Sequence, residues 1–208
     1  MFSLLLRGFA LGFAIAASPG PIFFLCVRRT LAQGRLTGLL SGLGVATADG
    51  FYAFIATFGV AALTAAFVAG RRPLAVVGGV VLVLLGARIL LERRSRSAQP
   101  ANAPTGRGLA WAYLSTLGLT ITNPATIVSF AALAATLGLG TGGSLARPSF
   151  VVVGGVLLGS AAWWVVLVVA ASALRARLTP AVVGWIGTVS GLAIATLGIL
   201  AVLSAFSG

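Results

Sequence analysis

The chain contains no histidine and no lysine, and it has one cysteine, Cys26, and two acids, Asp49 and Glu92. Each scarcity excludes something. Without histidine there is no imidazole base and no imidazole metal ligand. A single cysteine forms neither an internal disulfide nor a two-thiol relay, and Cys26 reads as a small buried apolar residue. Two carboxylates are too few for a divalent-cation cage, so no metal site and no cofactor are expected. Charged residues make up only 8% of the 208, against about 25% in soluble domains.

What remains is apolar. Hydrophobic residues are 59% of the chain and the mean hydropathy is +1.12. This is the composition of an all-α integral membrane protein. The net charge of +12 comes from fourteen arginines. Most lie between apolar runs, where they act as topology signals and anionic-lipid contacts, not as a nucleic-acid surface.

Six spans are long enough to cross a bilayer, at about 20 residues each: 4–27, 38–66, 73–91, 109–138, 148–174 and 181–206. The n-region of the first has only Arg7, and a proline follows its candidate cleavage site, so it reads as a retained helix and not as a signal peptide. The segment 92–108, ERRSRSAQPANAPTGRG, is the only extended polar stretch and reads as a linker. It divides the chain into three-helix halves at 1–91 and 109–208. Aligning Gly86 with Gly198 also aligns Gly79 with Gly191. An odd number of spans per half makes the repeats inverted. Arginine counts place the linker in the cytoplasm and both termini outside.

Two interruptions stand out. Ser18-Pro19-Gly20-Pro21 breaks the first span, and Thr122-Asn123-Pro124 breaks the fourth. Serine and asparagine are good N-caps, and proline is favoured at the first helical position. Each site predicts one helix ending and another starting inside the membrane, with Ser18 capping Pro19 and Asn123 capping Pro124. Backbone broken at that depth must be buried in protein or line a cavity. Paired breaks in corresponding halves point to a transporter's binding site. The free N–H groups and positive dipole of a restarting helix suit a carboxylate.

Asp49 lies mid-span in GLGVATADGFYAF. An ionised carboxylate there costs roughly 2.5–3.5 kcal/mol on insertion scales, which makes it a candidate for holding an ammonium, for carrying a coupling proton, or for both. Thr47, Tyr52, Thr116, Thr120, Thr122 and Ser129 are further polar groups on these spans, although hydroxyls in membrane helices commonly bond back to their own backbone. Gly38-x-x-x-Gly42, Gly155-x-x-x-Gly159 and Gly187-x-x-x-Gly191 predict close helix packing, and Trp163 and Trp164 predict packing contacts.

The segment GFAIAASPGPIFFLCVRRTLAQGRLTGLLSGLGVATADGFYAFIATFGVAAL resembles the first two helices of the LysE/RhtB amino-acid exporters. It shows their PGP signature, a glycine-rich run and an acid at Asp49. TNPATIVSF resembles the family's Asn-Pro motif, and the third and sixth spans resemble its L-x-x-x-G endings. VVLVLLG departs from the family where a tyrosine is common, which bears on substrate and not on fold. The resemblance implies export of amino acids or derivatives across the bacterial inner membrane, commonly driven by protons. The expected partners are then an amino acid or derivative, protons and anionic lipids. A homodimer is compatible with such a fold. With one intramembrane acid, neutral substrates are favoured over dibasic ones. An exporter of metal or other inorganic ions, and a non-transporting assembly protein, are the alternatives. An intramembrane enzyme would need a base to activate a nucleophile, and histidine is absent.

Overall fold

A computed structural model describes residues 1–57, 69–95, 106–123, 125–130, 147–175 and 177–206. These residues form helices and turns, with no strand among them. In lipid the backbone must satisfy its own polar groups, and helices do so within one segment. The helices are α1 (Phe2–Ala16), α2 (Pro21–Gln33), α3 (Arg35–Thr57), α4 (Arg71–Ser95), α5 (Gly106–Ile121), α6 (Arg147–Arg175) and α7 (Pro180–Ser204), with a further helical stretch at 125–130.

Among the described residues, α3, α4, α6 and α7 are long and apolar enough to cross a membrane, and α1 with α2 makes a fifth span bent by 82°. Large apolar side chains such as Leu84 (64% exposed), Val169 (61%) and Leu203 (58%) point outward. A contiguous apolar exterior of this kind is covered by lipid and not by water.

The first span is two helices and not one. Gly34, at φ 99°, joins α2 to α3, in a conformation that glycine adopts without the strain a Cβ would add. Both ends of the polar stretch 92–108 are helical. α4 continues through Glu92 to Ser95 and α5 starts at Gly106, which leaves 96–105 outside the described residues. The later parts of the second and fourth spans, 58–66 and 131–138, also lie outside them.

Lipid tails are as apolar as leucine, so helices in a bilayer associate through close packing and hydrogen bonds. α1 packs along α6, α5 along α3, α4 along α7, and α3 against α6. Small residues make these approaches. A Cβ on Gly12 would strike the Val156 backbone, and one on Gly159 the Phe9 carbonyl. In the α4–α7 crossing, a Cβ on Gly79 would lie 2.7 Å from the Gly198 oxygen, and one on Gly198 2.7 Å from the Gly79 oxygen. One on Gly86 would lie 2.7 Å from the Gly191 oxygen. Of the expected glycine pairs, Gly155 and Gly159 both meet α1 backbone. Gly38 and Gly42 meet the Thr30 and Trp164 side chains, and Gly187 faces open space. Trp164 is buried and Trp163 packs edge-on against Phe13.

Candidate functional site

The first break lies between Ala16 and Pro21. The Ala17 and Ser18 N–H groups still bond back, to Phe13 O (2.9 Å) and Ile15 O (3.2 Å). Gly20, in an extended conformation, is the N-cap of α2, and Pro21 is the first helical residue. The cap therefore falls two residues later than Ser18-Pro19 predicts. Both prolines follow acceptable caps, but Pro21 is the one whose fixed φ and missing N–H start the helix. Ser18 and Pro19 are exposed. Gly20 has no side chain to cap with, so the first-turn N–H groups of Ile22 and Phe23 have no intrahelical acceptor and no side-chain cap among the described residues.

The second break follows Ile121. Asn123 Oδ1 accepts from Ala125 N at 3.1 Å, and Asn123 O accepts from Ile127 N at 3.1 Å. Asn123 thus caps the stretch 125–130, as the sequence predicts; Pro124 itself lies outside the described residues. Replacing the cap tests its contribution. Asn123→Ala is expected to lower stability by about 1 kcal/mol, and Asn123→Asp to retain most of it. Thermal unfolding in detergent reads the difference, and equal midpoints for all three chains would remove the capping role.

The two breaks share one cavity of about 270 Å³. Pro21 and Ile22 line it from the first break, and Thr122, Asn123 and Ala125 from the second. Gly78 and Gly79 of α4 form another wall. Gly78 admits the second break closely, since a Cβ there would lie 3.0 Å from Thr122 Oγ1. Drug-sized ligands occupy pockets of roughly 300–1,000 Å³, so this one suits something smaller.

Asp49 is elsewhere. It is 2% exposed on α3, and its Oδ2 accepts from Ser160 Oγ of α6 at 2.7 Å. It is not among the residues lining the break cavity. One turn along α3, the Tyr52 hydroxyl donates to the Ile121 carbonyl, the last of α5, and its ring stacks on Phe130 at 5.6 Å. The acid is therefore linked to the second break through the helix that carries it, while its carboxyl is closed against α6.

The other polar candidates divide. Thr47, Thr120 and Ser129 bond back to Leu43, Thr116 and Ala125 carbonyls. Thr116 bonds to its own helix and to Ser41 O of α3 at 2.7 Å. Thr122 alone of this set lines the break cavity.

Two residues stand out that the sequence did not single out. Ser160 is the donor to Asp49. Arg29, counted among loop arginines by its position, is a residue of α2 and 5% exposed. Its Nη1 donates to Ser41 Oγ (3.0 Å) and Ala112 O (3.0 Å), and its Nη2 to Ser115 Oγ (2.8 Å). Cys26 is fully buried, as expected. Among the described residues no group of three His, Cys, Asp or Glu side chains converges to hold a metal.

An apolar-faced bundle of this kind, with its first span bent between Ala16 and Pro21 beside a cavity, defines a multi-pass membrane protein. The model of the LysE type translocators matches residues 13–205. The chain belongs to that family, a family of translocators and not of enzymes. A curated relative, the uncharacterized membrane protein YahN of Escherichia coli (strain K12), is 33% identical over 119 residues, 54% of this chain and 51% of that protein. The chain thus spans about half the length of the curated relative it matches. No solved structure matches it.

Proposed function

We propose that this translocator exports amino acids or closely related small zwitterions from the bacterial cytoplasm, driven by protons. The observation that carries the reading is the single cavity on which both helix breaks open. The uncapped N–H groups of Ile22 and Phe23 suit a carboxylate. Pro21, Thr122, Asn123 and Pro124 shape the site, with Ser18, Pro19 and Gly20 forming the connection that leads into it. Asp49 is the proton carrier. Its carboxyl is held by Ser160 away from the cavity wall, which favours that role over an ammonium ligand in this conformation.

The working architecture is two inverted three-helix repeats, 1–91 and 109–208, around a linker at 92–108. The glycine contacts support it. Exchanging Gly79 with Gly191 and Gly86 with Gly198 turns the Gly79–Gly198 contact into the Gly191–Gly86 contact, as a twofold relation requires. The same exchange turns α1-on-α6 into α5-on-α3. Arginine distribution orients the linker to the cytoplasm of the inner membrane, both termini outside, with anionic lipid around the basic face.

Cells loaded with dipeptides that release neutral amino acids test the function. Expression is expected to speed efflux of at least one of them, and a protonophore to abolish the gain. Efflux equal to that of cells without the protein across the neutral set would sink the reading.

A further inference from the structure

A second cavity, of about 110 Å³, lies on the same seam as the first. α2, α4 and α5 contribute to both. Pro21 and Ile22 of α2 line the break cavity, and Leu25, Arg28 and Arg29, further along the same helix, line the second. On α4 the division falls between Leu82 and Leu85, and on α5 between Leu119 and Ala112. Between the two lies apolar packing. Leu25, Leu82, Leu119 and Ile194 belong to one buried cluster, with Leu85 packed against it.

The second cavity is basic. Arg28, Arg29 and Arg88 all line it. Arg29 is buried, permanently charged, and meets hydroxyls and a carbonyl but no carboxylate among the described residues. A guanidinium has five N–H donors. Three are engaged here, which leaves two, one of them on Nε. A buried cation with donors to spare, on a cavity that two further arginines line, is arranged for an oxyanion, and Arg29 alone carries that assignment.

We propose that this cavity is the arginine-face mouth of the transport pathway. It takes the carboxylate of the transported zwitterion, with Arg29 as the anchoring cation. The layer of Leu25, Leu82, Leu85 and Leu119 closes it from the break cavity. The inference rests on the transport reading and adds a route and a gate to it. Its volume fits a small carboxylate better than a two-chain lipid. A lipid phosphate offers the same oxyanion chemistry and is separated by experiment.

Arg29 also ties α2 to α3 and α5, so the test leaves it in place. Leu85→Cys is made in the full chain and reconstituted in phosphatidylcholine vesicles. The wild type, whose Cys26 is fully buried, sets the background. A sulfonate-bearing methanethiosulfonate is expected to label Leu85→Cys at least about tenfold faster than its trimethylammonium counterpart, the low end of electrostatic focusing in a cleft. Adding Arg88→Gln should cut that preference severalfold. In a panel of neutral L-amino acids, at least one is expected to slow labelling where its carboxamide does not.

No charge preference, or no amino acid protecting better than its amide, overturns the proposal. So does phosphatidylglycerol that stays bound to the wild type in native mass spectrometry and is lost from Arg88→Gln, which gives the cavity to a lipid phosphate. The charge preference is read without transport. If it persists while efflux is absent, the exporter reading fails alone; if it is absent while efflux persists, the vestibule fails alone.

Discussion

Asp49→Asn is expected to insert and fold like the wild type and to lose proton-driven efflux, down to the level of empty vesicles. The substitution keeps the side chain's shape. An asparagine oxygen can accept from Ser160 Oγ as the carboxylate oxygen does at 2.7 Å, so the α3–α6 contact survives. What disappears is the ability to titrate. If Asp49 carries only the proton, substrate exchange at equal pH on both sides persists in Asp49→Asn. If it also holds the substrate ammonium, exchange falls too, because the charged contact is lost. Ser160→Ala is the companion variant. It leaves a buried oxygen without its donor, at about 1–3 kcal/mol, and reports how much of the phenotype is structural. Undiminished pH-driven efflux in Asp49→Asn proteoliposomes would remove Asp49 from the mechanism.

The second large effect is on stability. Gly159→Leu is expected to destabilise the protein by at least about 2 kcal/mol. The new Cβ would fall on the Phe9 carbonyl, and backbone cannot turn aside as a flexible side chain can. α1 and α6 must then part along the whole of their contact. Gly154, in the same helix, faces open space. Gly154→Ala is expected to hold or slightly raise stability, since alanine is the better helix former by up to about 1 kcal/mol. Unfolding midpoints in mixed micelles compare the two. If Gly159→Leu unfolds at the wild-type midpoint, the glycine contact does not hold α1 in place.

The helix breaks were legible because proline is a backbone statement: it removes a donor and fixes φ wherever it occurs. Asn123 was legible for the same reason, as an N-cap ahead of a proline. The choice between Ser18-Pro19 and Gly20-Pro21 was not, because both pairs satisfy the local rule and the surrounding fold decides between them. Asp49 drew attention as an acid in an apolar span, but its partner did not. Ser160 lies 111 positions away, and nothing in GSAAWW distinguishes it from the other small hydroxyls on these helices. Arg29 was hidden differently. It stands in an Arg-Arg pair at the end of an apolar run, where the positive-inside rule already accounts for it. Only the bend between α1 and α2 brings it inward against α3 and α5. Local chemistry was readable; contacts that depend on how helices cross were not.

The packing order of the helices bears on how the protein is made. α1 has 15 residues and α5 has 16, about 22–24 Å of helix at 1.5 Å per residue, which is less than the roughly 30 Å of hydrocarbon they enter. Each leans on a long helix from the other half of the chain, α1 on α6 and α5 on α3. At about 5–20 residues per second, α1 waits on the order of ten seconds for α6 to be synthesised. Over that interval its glycine face has no partner and its unpaired break at Ala17–Gly20 has no cavity to line. A nascent chain halted before Arg147 is therefore an incomplete bundle, a natural substrate for membrane chaperones and proteases.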